Sequence, residues 1–146
     1  MKIPISVLVV VYTPELDVLL IERAQQIGFW QSVTGSVDSL EEDLAHTAAR
    51  ELVEETGIKA ADYVLEDWQI ANRYEIYPVW RHRYAPGVTH NLEHVFAICV
   101  PRHHPIQLAP EEHRDYRWLP YLEAAGQCFS ASNAEAILQL AQRIKK

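Results

Sequence analysis

The sequence predicts an α/β (α+β) domain in which helices cover both faces of a mixed central sheet. Short apolar runs bounded by turn residues recur along the chain and indicate strands. One alanine-rich, proline-free stretch between them and an amphipathic pattern near the C-terminus indicate helices. Because strands both precede and follow the internal helix, an α/β/α sandwich buries the apolar faces most simply. A length of 146 residues suffices to bury a core without disulfides, so we expect residues 1–146 to form one domain.

The N-terminal part of the chain predicts two neighbouring strands. Ile5–Tyr12 is continuously apolar and rich in β-branched residues, which is typical of a strand buried on both faces. A turn at residues 13–15 separates it from a second apolar run at residues 18–21. The start of the chain resembles a secretory signal only superficially, because it contains Pro4, lacks a small-residue cleavage site and is too short to span a bilayer. We therefore expect a buried strand there and no membrane segment.

The internal helix is predicted to end just before Gly57, a residue suited to the left-handed position past a helix C-terminus. Its start has two alternatives. Ser39 and Glu42 have the spacing of a capping box. The family resemblance described below instead implies Asp43 as the N-cap, which would leave Glu42 in the preceding loop.

The second half of the chain predicts further strands and a final helix. Residues 59–77 show a broken strand pattern, and residues 92–100 and 115–119 show clearer ones. Residues 80–91, which lie between the first and second of these segments, concentrate cations and aromatic rings around a Pro-Gly turn. Asn133 is the predicted N-cap of the final helix. The apolar face of that helix comprises Ile137, Leu140, Ala141 and Ile144.

Three carboxylates share one face near the end of the internal helix. Helical spacing brings Glu51, Glu54 and Glu55 within about 100° of arc. Like charges four residues apart cost roughly 0.2–0.5 kcal/mol, and carboxylates in the last turn also oppose the helix dipole. A hard divalent cation such as Mg²⁺ or Mn²⁺ would offset this repulsion and keep positions for substrate phosphates. Taken alone, the cluster is equally compatible with a solvated acidic face.

The stretch from 35 to 58 resembles the signature of the Nudix hydrolases, Gly-x5-Glu-x7-Arg-Glu-aliphatic-x-Glu-Glu-x-Gly-aliphatic. Its second half fits at every fixed position, as Arg50-Glu51-Leu52-Val53-Glu54-Glu55-Thr56-Gly57-Ile58. The first half departs by one residue, because six residues rather than five separate Gly35 from Glu42. We interpret this as one extra residue in the loop. The resemblance extends over almost the whole chain and implies the Nudix fold, which agrees with the layered arrangement above.

The resemblance also implies roles for individual residues. Nudix hydrolases cleave a diphosphate linked to a further group and use divalent metal. The implied metal ligands are Glu51, Glu54, Glu55, Glu112 and the backbone carbonyl of Gly35. The implied catalytic residues are Arg50, which would orient the carboxylates, and Glu54 or Glu112 as general base.

Within the family, three segments resemble the bacterial enzymes that hydrolyse dihydroneopterin triphosphate in folate biosynthesis. These segments are residues 29–37, residues 81–89 and Asn91-x-Glu93. The resemblance implies Mg²⁺-dependent release of pyrophosphate and formation of dihydroneopterin monophosphate. It also implies a substrate site lined by Lys2, Arg23, Thr34, Tyr74, Glu75, Ile76, Tyr77 and Ser130. Donors on Arg23 and Lys2 suit phosphates, and Tyr74 or Tyr77 can stack on a flat ring.

Composition restricts the partners and the compartment. A net charge of −7 argues against nucleic acid as a general partner and leaves a small triphosphate, bound through local cations, as the expected one. Cys99 and Cys128 have neither metal-site spacing nor a disulfide framework, which is compatible with a reducing cytoplasm. The sequence leaves monomer and homodimer open.

Several alternative functions share the same motif. A housecleaning nucleoside triphosphate pyrophosphohydrolase would have an identical signature, because purines and pterins are both flat bicycles with hydrogen-bonding edges. A dinucleoside polyphosphate hydrolase is a third enzyme class. A non-catalytic module that senses a nucleotide, and a structural Ca²⁺ site, are alternatives from outside catalysis. Retention of Glu51, Glu54 and Glu55 argues against the sensing module, since an inactive site has no need of their mutual repulsion.

Overall fold

A computed structural model of the chain describes residues 1–144 and confirms the predicted mixed α and β architecture. The strands within these residues are β1 (Ile5–Tyr12), β2 (Asp17–Arg23), β3 (Trp30–Gln31), β4 (Val33–Ser36), β5 (Leu65–Glu75), β6 (His90–Cys99) and β7 (His113–Pro120). The α-helices within these residues are α1 (Leu44–Thr56), α2 (Tyr121–Gln127), α3 (Ala131–Leu138) and α4 (Leu140–Ile144). Short 3₁₀ turns lie at Ala60–Asp62 and Pro78–Arg83.

All seven strands of the described chain belong to one mixed sheet with β1 near its centre. Strand β1 runs parallel to β6 along its whole length and antiparallel to β4 along its first half. Strands β2, β3 and β7 extend the sheet on one side, and β5 extends it on the other. Because β1 is covered on both faces, its continuously apolar sequence is the pattern expected of a central strand.

Two apolar cores lie on opposite faces of the sheet. On one face, Val7 and Val9 of β1 pack with Ala48 and Leu52 of α1. On the other face, alternate residues of the same strand pack with apolar side chains from α2, α3 and α4. Successive side chains of β1 therefore point alternately into the two cores. Helices cover both faces of the sheet, so the α/β/α sandwich is confirmed.

Helix α1 begins after Asp43, so the second of the two predicted starts is correct and Glu42 lies in the loop. Asp43 has extended backbone angles, but its side chain makes no capping hydrogen bond. The helix ends at Gly57, which has a φ of 80°, and whose N–H donates to the carbonyl of Val53 at 3.0 Å. This left-handed turn is the one predicted from the glycine.

Two details of the C-terminal region differ from the sequence-based expectation. Asn133 is not an N-cap but lies inside α3, because the Ser130 hydroxyl caps this helix by accepting the Asn133 N–H. The Asn133 side chain instead holds Ser32, accepting its N–H at 2.8 Å and donating to its hydroxyl at 2.9 Å. The predicted single helix is also interrupted at Gln139.

The broken pattern at residues 59–77 has a local explanation. Strand β5 is one long strand, but its pairing with β6 shifts between Asp67 and Ala71, where Gln69 has a φ of 56°. Such a bulge interrupts the alternation of buried and exposed residues. No helix within the described residues is long and apolar enough to cross a membrane.

Candidate active site

A cavity of about 940 Å³ opens between the sheet, the end of α1 and the N-terminus of α3. We call it the central cavity. Its floor comes from β1, β4, β5 and β6, and its walls come from the segment after β5 and the loop before β7. The predicted site residues that line it are Lys2, Arg23, Thr34, Gly35, Glu51, Glu55, Tyr74, Glu75, Ile76, Tyr77, Glu112 and Ser130. Arg50 and Glu54 are not among its lining residues.

Glu51 and Glu55 form a carboxylate pair in the lining of the central cavity. Gly35 lies directly against Glu51, and a Cβ atom at position 35 would overlap the Glu51 carboxylate. The glycine of the motif is therefore explained by this close approach rather than by an unusual backbone angle. Burial and then the neighbouring Glu51 carboxyl raise the pKa of Glu55 well above its ordinary value. Burial raises the pKa of Glu51 as well.

The donor atoms of this pair suit a divalent cation. Glu55 is 3% exposed, and its Oε1 atom has no hydrogen-bond partner. An unpartnered buried carboxylate oxygen beside a second carboxylate is an arrangement that a hard cation stabilises. Among residues 1–144, no three or more His, Cys, Asp or Glu side chains converge on a complete metal-binding cluster. The pair can thus supply part of a ligand set, and phosphate and water oxygens can supply the rest.

Arg50 organises the carboxylates from outside the cavity. Its Nε and Nη2 atoms donate to the two oxygens of Glu42, both at 3.0 Å, and Nη2 also donates to the Ser36 carbonyl at 3.1 Å. Its Nη1 atom donates to Glu51 at 3.0 Å. The bidentate bond from Arg50 and a backbone N–H hydrogen bond from Asp38 lower the pKa of Glu42 to about 2. Arg50 therefore joins the inserted loop to the carboxylate pair, which is an orienting position.

Glu54 is separated from the other two glutamates of α1. Its side chain is 47% exposed and lies 3.4 Å from Nη1 of Arg50. The three carboxylates share a broad helical face, as predicted, but only Glu51 and Glu55 point into the cavity. The arc of about 100° is wide enough to leave Glu54 at one edge in solvent while Glu55 at the other edge is buried.

Glu112 contributes a further carboxylate to the cavity from the loop before β7. The loop is fixed because the Glu112 carbonyl accepts the Ala24 N–H at 2.9 Å and its own N–H donates to Ala109 at 2.9 Å. The adjacent His113 is buried with its Nε2 atom 4.0 Å from Oε1 of Glu55. Burial, and then the positive charge of Arg23, lower the pKa of His113 to about 4.

Cations also line the cavity. The Arg23 guanidinium lies over the ring of Trp80, 4.6 Å from its centroid, and its Nε donates to Gln31 at 3.0 Å. The Lys2 ammonium lies 5.9 Å from the ring centroid of Tyr84. Burial and then the charge of Arg83 lower the pKa values of both Lys2 and Arg23. Cations held close together in this way favour a multiply charged anion between them.

Aromatic rings form another part of the cavity lining. Phe29 and Phe129 stack with centroids 4.8 Å apart, and Tyr77 and Trp80 lie with centroids 5.3 Å apart. Trp80 and Phe129 pack edge to face at 6.1 Å. These four residues are the aromatic cluster, and three of them line the cavity.

The remaining predicted residues have mixed surroundings. Thr34 donates its hydroxyl hydrogen to the Val7 carbonyl at 2.9 Å, and Ser130 caps α3. Ile76 is buried, whereas Glu75 is exposed and paired with Arg81 at 2.7 Å. These four side chains thus have structural contacts as well as a place on the cavity lining.

Sequence reasoning gave no role to several residues that line the cavity. They are Trp80, Arg83, Tyr84, Asn91, Glu93 and Phe129. The strand alternation of β6 is a signal for two of them, because Asn91 and Glu93 are two residues apart and must share a face. The others lie in irregular segments, where spacing carries no such information.

Comparisons with known proteins agree with this geometry. The family model described as NUDIX domain matches residues 2–140. The chain is 43% identical over 141 residues to the dihydroneopterin triphosphate diphosphatase of Escherichia coli, covering 94% of this chain and 92% of that protein. It is 39% identical to the enzyme of the same name from Haemophilus influenzae, covering 90% and 84%.

A solved structure gives the same result at the level of the fold. The E. coli dihydroneopterin triphosphate pyrophosphohydrolase superposes with a TM-score of 0.90 at 40% identity, and the match covers 97% of each chain. The family-model match at residues 2–140 includes the whole stretch from Gly35 to Ile58. The chain therefore belongs to the Nudix hydrolase family.

Proposed function

We propose that this chain is a Mg²⁺-dependent pyrophosphohydrolase that cleaves dihydroneopterin triphosphate to dihydroneopterin monophosphate and pyrophosphate. The observation that carries the proposal is the set of groups that line one cavity. A carboxylate pair, cations and aromatic rings share its lining, and Arg23, which lies over the Trp80 ring, is also close enough to Glu55 for the two charges to interact. This set matches a substrate with a flat ring and a triphosphate tail. The relatives at 39–43% identity bear the name of that activity.

The metal-binding part of the proposal assigns Glu51 and Glu55 as the main ligands, with the Gly35 carbonyl and Glu112 as additional oxygen donors. Nudix hydrolases use divalent metal, and all-oxygen donors favour Mg²⁺, with Mn²⁺ as a substitute. When bound, such an ion neutralises phosphoryl oxygens and acidifies water. Arg50 keeps the Glu51 carboxylate oriented through the contact at 3.0 Å.

Hydrolysis consumes one water molecule at the anhydride between the α- and β-phosphorus atoms. The new P–O bond forms as the bond to the bridging oxygen breaks, and the electron pair leaves with pyrophosphate. A carboxylate must accept the proton of the attacking water. Glu112 faces the cavity, whereas Glu54 is half exposed and held by Arg50. Of the two candidate bases, we therefore assign Glu112.

The substrate-binding part of the proposal follows the charges. Arg23 and Lys2 bind the phosphate chain, because both line the cavity and both lie close enough to the carboxylate pair for their charges to interact with it. Tyr77 and the rest of the aromatic cluster enclose the ring. We place the reaction in the cytoplasm, where the free thiols of Cys99 and Cys128 remain reduced. We also propose that residues 1–146 form one catalytic domain.

The test is pyrophosphate release from dihydroneopterin triphosphate and from a panel of ribo- and deoxynucleoside triphosphates, with and without Mg²⁺. We expect kcat/KM to be highest for the pterin and to depend on Mg²⁺. Glu51→Gln and Glu55→Gln should each lower kcat by about a thousandfold, because each removes a ligand charge. Glu123→Gln on the exposed face of α2 is the matched control and should have no effect.

Other outcomes identify the alternatives. A higher kcat/KM for a nucleotide would make the protein a nucleoside triphosphate pyrophosphohydrolase. Binding of triphosphates without Mg²⁺-dependent turnover of any of them would indicate a sensing module.

A further inference from the structure

The floor of the central cavity carries a polar group that the reaction described above does not use. Asn91 and Glu93 lie on the same face of β6, and both line the cavity. They are almost inaccessible to solvent, with exposed fractions of 2% and 4%. They lie on the sheet beside the phosphate-binding residues rather than within the carboxylate pair on α1. We call them the floor acceptors.

The floor acceptors are held rigidly. The Asn91 amide nitrogen donates to the hydroxyls of Ser6 at 2.7 Å and Tyr74 at 3.0 Å. The Glu93 Oε1 atom accepts the Ser132 hydroxyl hydrogen at 2.9 Å. Contacts from β1, β5 and α3 thus fix both side chains in position before any ligand binds.

The floor acceptors also have unused hydrogen-bonding capacity. The Oδ1 atom of Asn91 is buried and has no partner. Glu93 forms no ion pair within the described residues, and a carboxylate can accept about four hydrogen bonds. A buried acceptor without a donor is destabilising. Such an arrangement on a cavity floor therefore indicates a ligand that presents N–H groups.

We propose that Glu93 recognises the ring of the substrate through a 2-amino-4-oxopyrimidine edge. Its carboxylate accepts two parallel hydrogen bonds, one from the ring N–H and one from the adjacent exocyclic amino group. Asn91 Oδ1 lies beside it as a further acceptor for a donor of the same ring. This inference rests on the proposed function and deepens it, because the pterin of dihydroneopterin triphosphate has this edge.

The same geometry selects against other rings. Adenine and cytosine place a ring nitrogen acceptor beside their amino group, so one carboxylate oxygen would face a lone pair. Uracil and thymine have one N–H between two carbonyls. Hypoxanthine has the ring N–H but lacks the 2-amino group. Guanine is the common nucleobase that shares the donor pair, so discrimination between guanine and hypoxanthine isolates the role of Glu93.

The experiment compares dGTP with dITP, which differ only in the 2-amino group, together with dihydroneopterin triphosphate and dATP. For the wild-type protein we expect kcat/KM for dGTP to exceed that for dITP at least tenfold. Glu93→Gln replaces one acceptor by a donor, so the ratio should fall to within about threefold, and kcat/KM for the pterin should fall about a hundredfold. Turnover of dATP should change less than threefold. Glu123→Gln is again the matched control.

The outcomes that overturn the inference are specific. A wild-type ratio near one, or a ratio that survives in Glu93→Gln, would show that Glu93 only anchors Ser132 at the start of α3. The wild-type comparison does not depend on whether the variant folds. Calorimetric binding of dGTP and dITP in the absence of metal gives the same comparison if neither is hydrolysed.

Failure of the proposed function has a different signature. In that case dihydroneopterin triphosphate would be no better a substrate than the nucleotides, whatever the ratio of dGTP to dITP. The two conclusions are therefore tested separately within one panel.

Discussion

The Oε1 atom of Glu55 lies 4.0 Å from the Nε2 atom of His113, and neither residue is more than 4% exposed. This is not a conventional ion pair. Burial raises the pKa of the carboxyl, while burial and the charge of Arg23 lower the pKa of the imidazole. Both groups therefore favour their neutral forms when no cation is bound. A divalent ion beside Glu55 would reverse the balance at the carboxyl only.

The contribution of Glu55 to the stability of the metal-free protein should fall as pH rises above the ordinary glutamate value of 4.5. Because the folded pKa of Glu55 is raised, the folded state binds its proton more tightly than the unfolded state does. The contribution is fully present below pH 4.5 and is lost as pH rises through the folded pKa, with a slope of at most about 1.4 kcal/mol per pH unit. Glu55→Gln should flatten this slope and leave the metal-free melting temperature unchanged or higher at pH 8.

Thermal melts between pH 4.5 and pH 8, with and without Mg²⁺, check this. Mg²⁺ should raise the melting temperature of the wild type most at high pH, and should not do so in Glu55→Gln. Marked destabilisation of the metal-free variant at high pH would contradict the prediction.

His113 has the opposite pH dependence. Its folded pKa of about 4 lies below the ordinary value of 6.5, so the unfolded state takes up the proton first as pH falls. Its contribution to stability is present above pH 6.5 and is lost between pH 6.5 and about pH 4. Urea unfolding of His113→Gln and wild type across this range should show a shallower acid decline in the variant. An identical decline in both proteins would mean that folding does not lower the pKa of His113.

Replacement of Arg50 should destabilise the loop before α1 as well as impair activity. Arg50→Ala would remove two bonds to Glu42, one to Ser36 and one to Glu51, and would leave Glu51 without a cationic partner. We expect a loss of about 1–3 kcal/mol in the free energy of unfolding. Arg50→Lys should recover little of it, because an ammonium cannot form the bidentate contact. Denaturant unfolding of both variants measures this, and full rescue by lysine would show that only the charge matters.

Glu112 and Glu54 are distinguished by one paired comparison. Glu112 lines the cavity and Glu54 does not, so Glu112→Gln should lower kcat by about a hundredfold or more and Glu54→Gln by less than tenfold. The Mg²⁺ concentration needed for half-maximal activity separates the two roles of Glu112. It should rise in Glu112→Gln if the carboxylate is a ligand, and stay constant if it only accepts the proton. The reverse order of the two variants would assign the base to Glu54.

The sequence predicted the parts of this protein that depend on periodicity. Ile5–Tyr12 was identifiable as a central strand because a strand that is buried on both faces has a continuously apolar sequence. Gly57 was identifiable as the helix end because glycine adopts the positive φ that this position requires. The carboxylate face of α1 was also predictable, but the separation of Glu54 from Glu51 and Glu55 was not. That separation depends on Gly35, which approaches α1 from β4, and on the Arg50 side chain, which contacts Glu54 outside the cavity.

Long-range contacts explain what the sequence did not reveal. Asn133 has the residue type of an N-cap, but its amide is engaged by Ser32, which is 101 residues away. The aromatic cluster combines Phe29, Tyr77, Trp80 and Phe129 from three separate segments. No local pattern marks such a cluster, because its members come together only when the sheet and α3 have formed.

Arg23 should determine the affinity for the triphosphate. Its guanidinium is fixed by Gln31 and lies over Trp80, so its donors are oriented into the cavity before the substrate binds. Arg23→Ala should raise KM for dihydroneopterin triphosphate about tenfold to a hundredfold, with a smaller effect on kcat, because a charged hydrogen bond contributes about 1.5–3 kcal/mol. Arg102→Ala, a change of the same kind on the exposed connector after β6, is the matched control. The substrate's affinity can also be measured directly by calorimetry without metal ion. An unchanged KM and affinity in Arg23→Ala would remove Arg23 from the phosphate site and leave Lys2 and Arg83 as its cations.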